Sequence, residues 1–181
     1  MLSKSDALRA ALAIDGWMSE DELSWLYDRA REMASIIEIG AWKGRTTKAL
    51  LEGCWGPVYA VDHWEGTPGE PLQQEKGVYK QFMQNVGGYG YLWGRVNLRI
   101  VREASPAAAV MFRDASVDMV FIDGDHRYEA VKADIEAWRP KARKLIAGHD
   151  YGNAVTPGVQ QAVDEAFDGV ERIGFIWART V

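Results

Sequence analysis

The stretch "VDMVFIDGDHRY", residues 117–128, decides the fold. It begins as an apolar run, "DMVFI", and then places three ionisable side chains almost together: Asp123, Asp125 and His126. A strand that is apolar on both faces belongs to a parallel sheet covered by helices on either side. In such sheets the carboxyl ends of the strands open onto one crevice, where ligands bind. Acids and an imidazole at that end are therefore expected to face a shared site. The chain has only three histidines, and each follows an apolar run: "VYAVDH", "MVFIDGDH" and "KLIAGHD".

Working outward from this strand, short apolar runs alternate with helical patterns. "SIIEI" is followed by helical "TTKALLEGC", and "PVYAV" and "LRIV" read as further strands. "SPAAAVMF" opens a helix with Ser105 as N-cap and Pro106 at its first position. In "YEAVKADIEAW", Val131, Ile135 and Trp138 share one face. "KLIAG" is a fifth strand, "TPGVQQAVDEAF" a helix opened by Thr156 and Pro157, and "ERIGFIWART" a terminal strand or hairpin pivoting at Gly174. Residues 1–34 read as helical. Ser19 and Glu22 there form a capping box, and Leu23, Leu26, Ala30 and Met33 recur at helical spacing. The alternation predicts one α/β domain over residues 1–181, with helices on both faces of a mostly parallel sheet. Residues 63–97 form a long connection with a helical middle, expected to be a lid over the crevice.

Composition narrows the function. The chain has 181 residues, 48% of them hydrophobic, and a net charge of −5. No basic stripe stands out, so a nucleic-acid partner is not expected. No apolar run approaches the ~20 residues of a membrane span, and nothing reads as a secretion signal. The single Cys54 cannot form an internal disulfide and reads as a buried thiol. The expectation is a soluble cytoplasmic protein with a small-molecule partner and no membrane association; a homodimer is compatible with the sequence. Of eight tryptophans, Trp42, Trp64 and Trp93 fall in glycine-rich loops, where they either pack the loop or face a flat ligand.

"EIGAWKGRTT" carries Glu38, Gly40 and Gly44 between the first strand and its helix. The Gly-x-x-x-Gly spacing is not the three-glycine turn of dinucleotide binders, and alone it reads equally well as a structural turn. Asp62 closes the second strand about twenty residues later, where an acid accepts hydrogen bonds from a ribose diol. Together the two favour a nucleoside-type cofactor.

Here the sequence resembles a family. "EIGAWKGRTT", "VDHW", "VFIDGDHRYEAVKADIEAW" and "IAGHDY" look like the class I S-adenosylmethionine-dependent methyltransferases, in the branch with I-D-G-D-H-x-Y and G-H-D-Y motifs. The resemblance implies a Rossmann-like, doubly wound seven-stranded sheet with an antiparallel final pair. It implies S-adenosylmethionine held by Glu38, Gly40, Ala41, Trp42, Gly44 and Thr46, with Asp62 and His63 at the ribose. Glu103 or Ser105 would meet the adenine, and Asp123 would close the pocket.

Carboxylates with an imidazole also suit a divalent metal such as Mg²⁺ or Mn²⁺, which would acidify a substrate hydroxyl. Metal-dependent relatives map their ligands onto Asp123, Asp150 and His149. His126, three residues after Asp123, would be the general base, and Asp125 reads as a helix cap. The function expected is methyl transfer to a hydroxyl of a small molecule. An NAD(P)-linked oxidoreductase on a similar fold, or a non-catalytic nucleotide-binding module, are the alternatives.

Overall fold

The computed structural model describes residues 2–66, 75–90 and 97–181. Trp93 and parts of the 63–97 connection, residues 67–74 and 91–96, lie outside them.

Two helices precede the sheet, α1 (Lys4–Leu12) and α2 (Glu20–Arg31). The capping box of α2 is formed in full: the Ser19 hydroxyl accepts from the Glu22 backbone N–H, and the Glu22 carboxylate accepts from that of Ser19. Then follow β1 (Ile36–Ile39), α3 (Arg45–Gly53), β2 (Val58–Val61), α4 (Val78–Val86), β3 (Leu98–Val101) and the short α5 (Ser105–Ala108). The chain closes with β4 (Val117–Ile122), α6 (Tyr128–Trp138), β5 (Ala142–Gly148), α7 (Pro157–Ala166), β6 (Glu171–Ile173) and β7 (Ile176–Thr180).

The seven strands lie in the order β3-β2-β1-β4-β5-β7-β6. β1 to β5 run parallel, while β7 is antiparallel to both β5 and β6. The terminal hairpin forms as expected and turns at Gly174, whose φ of +58° is the left-handed region that glycine tolerates.

Successive strand residues face opposite layers. Ile36, Met119 and Phe121 pack against α1, α2, α3 and α4, whereas Ile37, Val120 and Ile122 pack against α6 and α7. The predicted faces are the buried ones: Leu23, Leu26 and Ala30 on α2, and Val131, Ile135 and Trp138 on α6. Burying a side chain of this kind stabilises the fold by ~1.5–3 kcal/mol each.

Two cap assignments differ from expectation. α5 is capped at Ala104, and Ser105 is already inside the helix, its hydroxyl bonded to Asp134 at 2.5 Å. α6 is capped at Arg127, because Asp125 folds back in a tight turn and accepts from the Arg127 N–H at 2.9 Å.

Register is what gathers the site. Ile39 pairs with both Val61 and Ile122, and Ile122 pairs with Gly148. The ladder continues one step further, with Gly40 N bonded to Val61 O, Asp123 N to Ile39 O and His149 N to Ile122 O. Gly40, Asp62, Asp123 and His149 therefore leave the sheet side by side.

Candidate active site

Gly40 marks the tightest point of the crevice floor. Its φ is +83°, and a β-carbon there would stand 2.0 Å from the Asp123 carbonyl oxygen. Only glycine lets the first loop cross the end of β4 so closely. Glu38, two residues earlier, points into the layer beneath that loop. It is fully buried and accepts from the Thr47 hydroxyl at 2.5 Å, leaving its Oε1 without a partner among the described residues. Burial pushes its pKa up to about 8, against the Thr47 bond and with help from Asp123 and Asp62. Ala41 and Thr46 are buried beside it, as is the Gly44 backbone, whose φ is +93°.

Asp62 organises the next part. Its Oδ2 accepts from the Trp42 N–H at 2.9 Å and its Oδ1 from the Trp64 N–H at 2.6 Å. The Trp64 indole donates to the Trp42 carbonyl at 2.8 Å. Trp42 and Trp64 both adopt positive φ, 42° and 57°, a conformation unfavourable for bulky residues that these bonds hold in place. Burial raises the Asp62 pKa, while the backbone N–H groups of Trp64, Trp42 and Ala41 and the nearby His63 oppose it. A carboxylate offers about four acceptor positions, so these bonds do not exhaust it. A cleft of about 410 Å³ opens alongside, lined by His63, Glu65, Gly66, Arg102, Glu103 and Ala104. His63 Nδ1 accepts from the Glu65 N–H and Glu103 from the Ala104 N–H, so both expected residues line the cleft. The Ser105 hydroxyl is turned away from it, spent on Asp134 and on the Trp138 indole at 2.8 Å.

The ends of β4 and β5 carry the ionisable group. His126 Nε2 lies 3.1 Å from Asp150 Oδ2 and 3.9 Å from Asp123 Oδ1. Asp150 has a φ of +63°, and Asn153 donates to its Oδ1 at 2.6 Å, which leaves Oδ2 toward the histidines. Among the described residues, Asp123, His126 and Asp150 are the group whose ligand atoms all lie within 4.8 Å of one another. His149, expected in the metal set, is placed differently. Its Nδ1 is 3.3 Å from Asp150 Oδ2 and 3.7 Å from Asp123 Oδ1, and its Nε2 is 3.2 Å from Glu22 Oε1. Burial opposes charge on this ring, but the three surrounding carboxylates prevail and push its pKa up to about 10. The reciprocal effect holds Glu22 and Asp150 down to about 2 each, despite burial.

Three residues make contacts here that the sequence does not show. Trp64 and Asn153 act through a backbone N–H and a side-chain amide that no spacing betrays. Glu22 was legible only as a helix cap.

A second cleft of about 340 Å³ is lined by His126, Tyr128, Thr156 and Gly158. His126 therefore borders an opening as well as meeting Asp150. No helix among the described residues is long and apolar enough to cross a membrane.

Comparison with known proteins agrees with this geometry. The uncharacterized protein y4gI of Sinorhizobium fredii is 33% identical over 134 residues, which is 70% of this chain and 14% of that protein. The chain thus spans about one seventh of that relative's length. A solved Corynebacterium glutamicum protein superposes with a TM-score of 0.69 at 15% identity, over 97% of this chain and 89% of its own. The O-methyltransferase from Bacillus cereus, solved in complex with SAH (S-adenosylhomocysteine), gives a TM-score of 0.64 at 16% identity, over 98% and 90%. A family model described as a methyltransferase domain matches residues 37–151, from β1 through the acids after β5. With the Glu38–Gly44 loop, Asp62 and the paired strand-end motifs on this sheet, the chain belongs to the class I S-adenosylmethionine-dependent methyltransferase family.

Proposed function

We propose that the protein transfers the methyl group of S-adenosylmethionine to a hydroxyl of a small molecule. The observation that carries this reading is the position of His126, an imidazole beside two strand-end carboxylates and in the lining of a cleft. The cofactor enters along the loop after β1 and the Asp62 cleft, and the acceptor approaches past His126. Methyl transfer from a sulfonium is an in-line displacement, so positioning and deprotonation are what the protein must supply. His126 takes the hydroxyl proton, oriented by Asp150. The acceptor oxygen then bonds to the methyl carbon as the carbon–sulfur bond breaks, and S-adenosylhomocysteine leaves with the sulfur lone pair.

A second reading is favoured by the tight Asp123–His126–Asp150 grouping. Two carboxylates and an imidazole fit a divalent cation, with Mn²⁺ or Fe²⁺ better matched than Mg²⁺ because of the nitrogen donor. Such a cation would supply Lewis acidity to the acceptor hydroxyl. In that case His126, Asp123 and Asp150 would hold the ion, and His126 would give up the base role.

The test is transfer of labelled methyl groups to a panel of hydroxylated acceptors, before and after chelator treatment. Label appearing in none of them contradicts O-methylation. Full activity in chelated protein retains the base reading and removes the metal.

A further inference from the structure

We propose that Glu22, on the N-terminal helix α2, is a positioning residue of the strand-end site, acting through His149 on Asp123, Asp150 and His126. The inference rests on the functional reading above only for what those groups do; the coupling itself stands on geometry.

A capping box needs one carboxylate oxygen. Here Glu22 Oε2 serves the whole cap, accepting from the Ser19 N–H at 2.8 Å and the Ser19 hydroxyl at 2.6 Å. Oε1 is surplus to the cap. It instead accepts from the Phe175 N–H at 2.8 Å, in the β6–β7 turn, and meets His149 Nε2 at 3.2 Å. A glutamate in the first turn of a surface helix is ordinarily solvated, yet Glu22 is only 3% exposed. Burying a carboxylate this far is costly unless each oxygen is matched, and here each is. The hairpin turn is also shaped around it, since a β-carbon on Gly174 would lie 2.6 Å from Glu22 Oε1.

The imidazole is a rigid plate. Fixing Nε2 on Glu22 fixes where Nδ1 falls, and Nδ1 falls between Asp150 Oδ2 at 3.3 Å and Asp123 Oδ1 at 3.7 Å. Asp150 Oδ2 is the atom that also meets His126 Nε2. A continuous series of polar contacts therefore runs from α2 to the His126 imidazole, through three separate elements. Outer partners of this kind orient site groups without touching a ligand. By this inference the N-terminal helices complete the site as well as packing on the sheet.

With three histidines, ¹⁵N-histidine NMR resolves each ring, and His63, which accepts from Glu65, is the internal reference. In Glu22→Gln the ring resonances of both His149 and His126 should shift while those of His63 stay. Ser19→Ala, which removes one donor from Oε2 and leaves Oε1 on its partners, should lower the melting temperature and leave all three rings in place. A folded Glu22→Gln protein in which His149 shifts and His126 does not would overturn the proposal. The wild-type protein gives an independent check should the variant not fold. Both His149 ring N–H protons should exchange slowly with solvent, and fast exchange would contradict the bracing contacts. Wild-type protein that binds no S-adenosylhomocysteine would remove the functional reading and leave the coupling standing.

Discussion

His126 Nε2 stands 3.1 Å from Asp150 Oδ2, joining a residue after β4 to one after β5 across 24 positions of sequence. The contact is made possible by the positive φ of Asp150 and by Asn153, which occupies the other carboxylate oxygen. His126→Ala should reduce methyl transfer by about 10²–10⁴-fold, the usual worth of a general base, with cofactor affinity nearly intact. Single-turnover assays with labelled cofactor check this. Undiminished transfer would take His126 out of the chemistry.

Asp62 has a structural role and, under the proposed function, a ribose-binding one. Asp62→Ala leaves the Trp42 and Trp64 N–H groups without an acceptor and removes the expected ribose contact. Each hydrogen bond to a charged group is worth ~1.5–3 kcal/mol, so both melting temperature and affinity for S-adenosylhomocysteine should fall. Differential scanning fluorimetry with and without ligand separates the two losses. Unchanged affinity in a folded variant would place the ribose elsewhere.

Gly40→Ala tests the crossing of the first loop over β4. The added β-carbon would meet the Asp123 carbonyl oxygen at 2.0 Å, from a φ of +83°. Neither strain has a flexible side chain to relieve it, so the loop must move. We expect a marked drop in stability together with loss of cofactor binding. A variant as stable as the parent would mean that the loop and strand are not in contact.

Stability should also carry a pH signature from Asp134. This buried acid accepts from Ser105, and burial raises its pKa from 3.8 to about 6, with a smaller contribution from Asp125. Between those values the folded chain binds a proton that the unfolded chain has lost, so this residue makes stability fall as pH rises from about 4 to about 6. Above that window the penalty is constant. Asp134→Asn should flatten this part of the profile. The difference in melting temperature between parent and variant, followed from pH 4 to 7, gives the answer, and a difference independent of pH would be the contrary result.

Much of this was legible in the sequence. Apolar strands, spaced acids and the family motifs gave the sheet, the glycine loop and the strand-end cluster, because those depend on local pattern and on the parallel topology. The finer assignments depend on side-chain direction. Ser105 looked like a helix cap facing the cofactor, but Asp134 and Trp138 draw its hydroxyl inward. The family resemblance put His149 in the metal set but did not show its contact on the other side. Its Nε2 meets Glu22, a residue 127 positions away whose capping role concealed its other oxygen. Contacts between such distant residues leave no periodic trace in the chain.

The most direct measurement is isothermal titration calorimetry of the purified protein with S-adenosylhomocysteine. Binding at one site, weakened by Asp62→Ala and unaffected by His126→Ala, is the predicted result. A folded protein that releases no heat with S-adenosylhomocysteine or S-adenosylmethionine would contradict methyl transfer at this site.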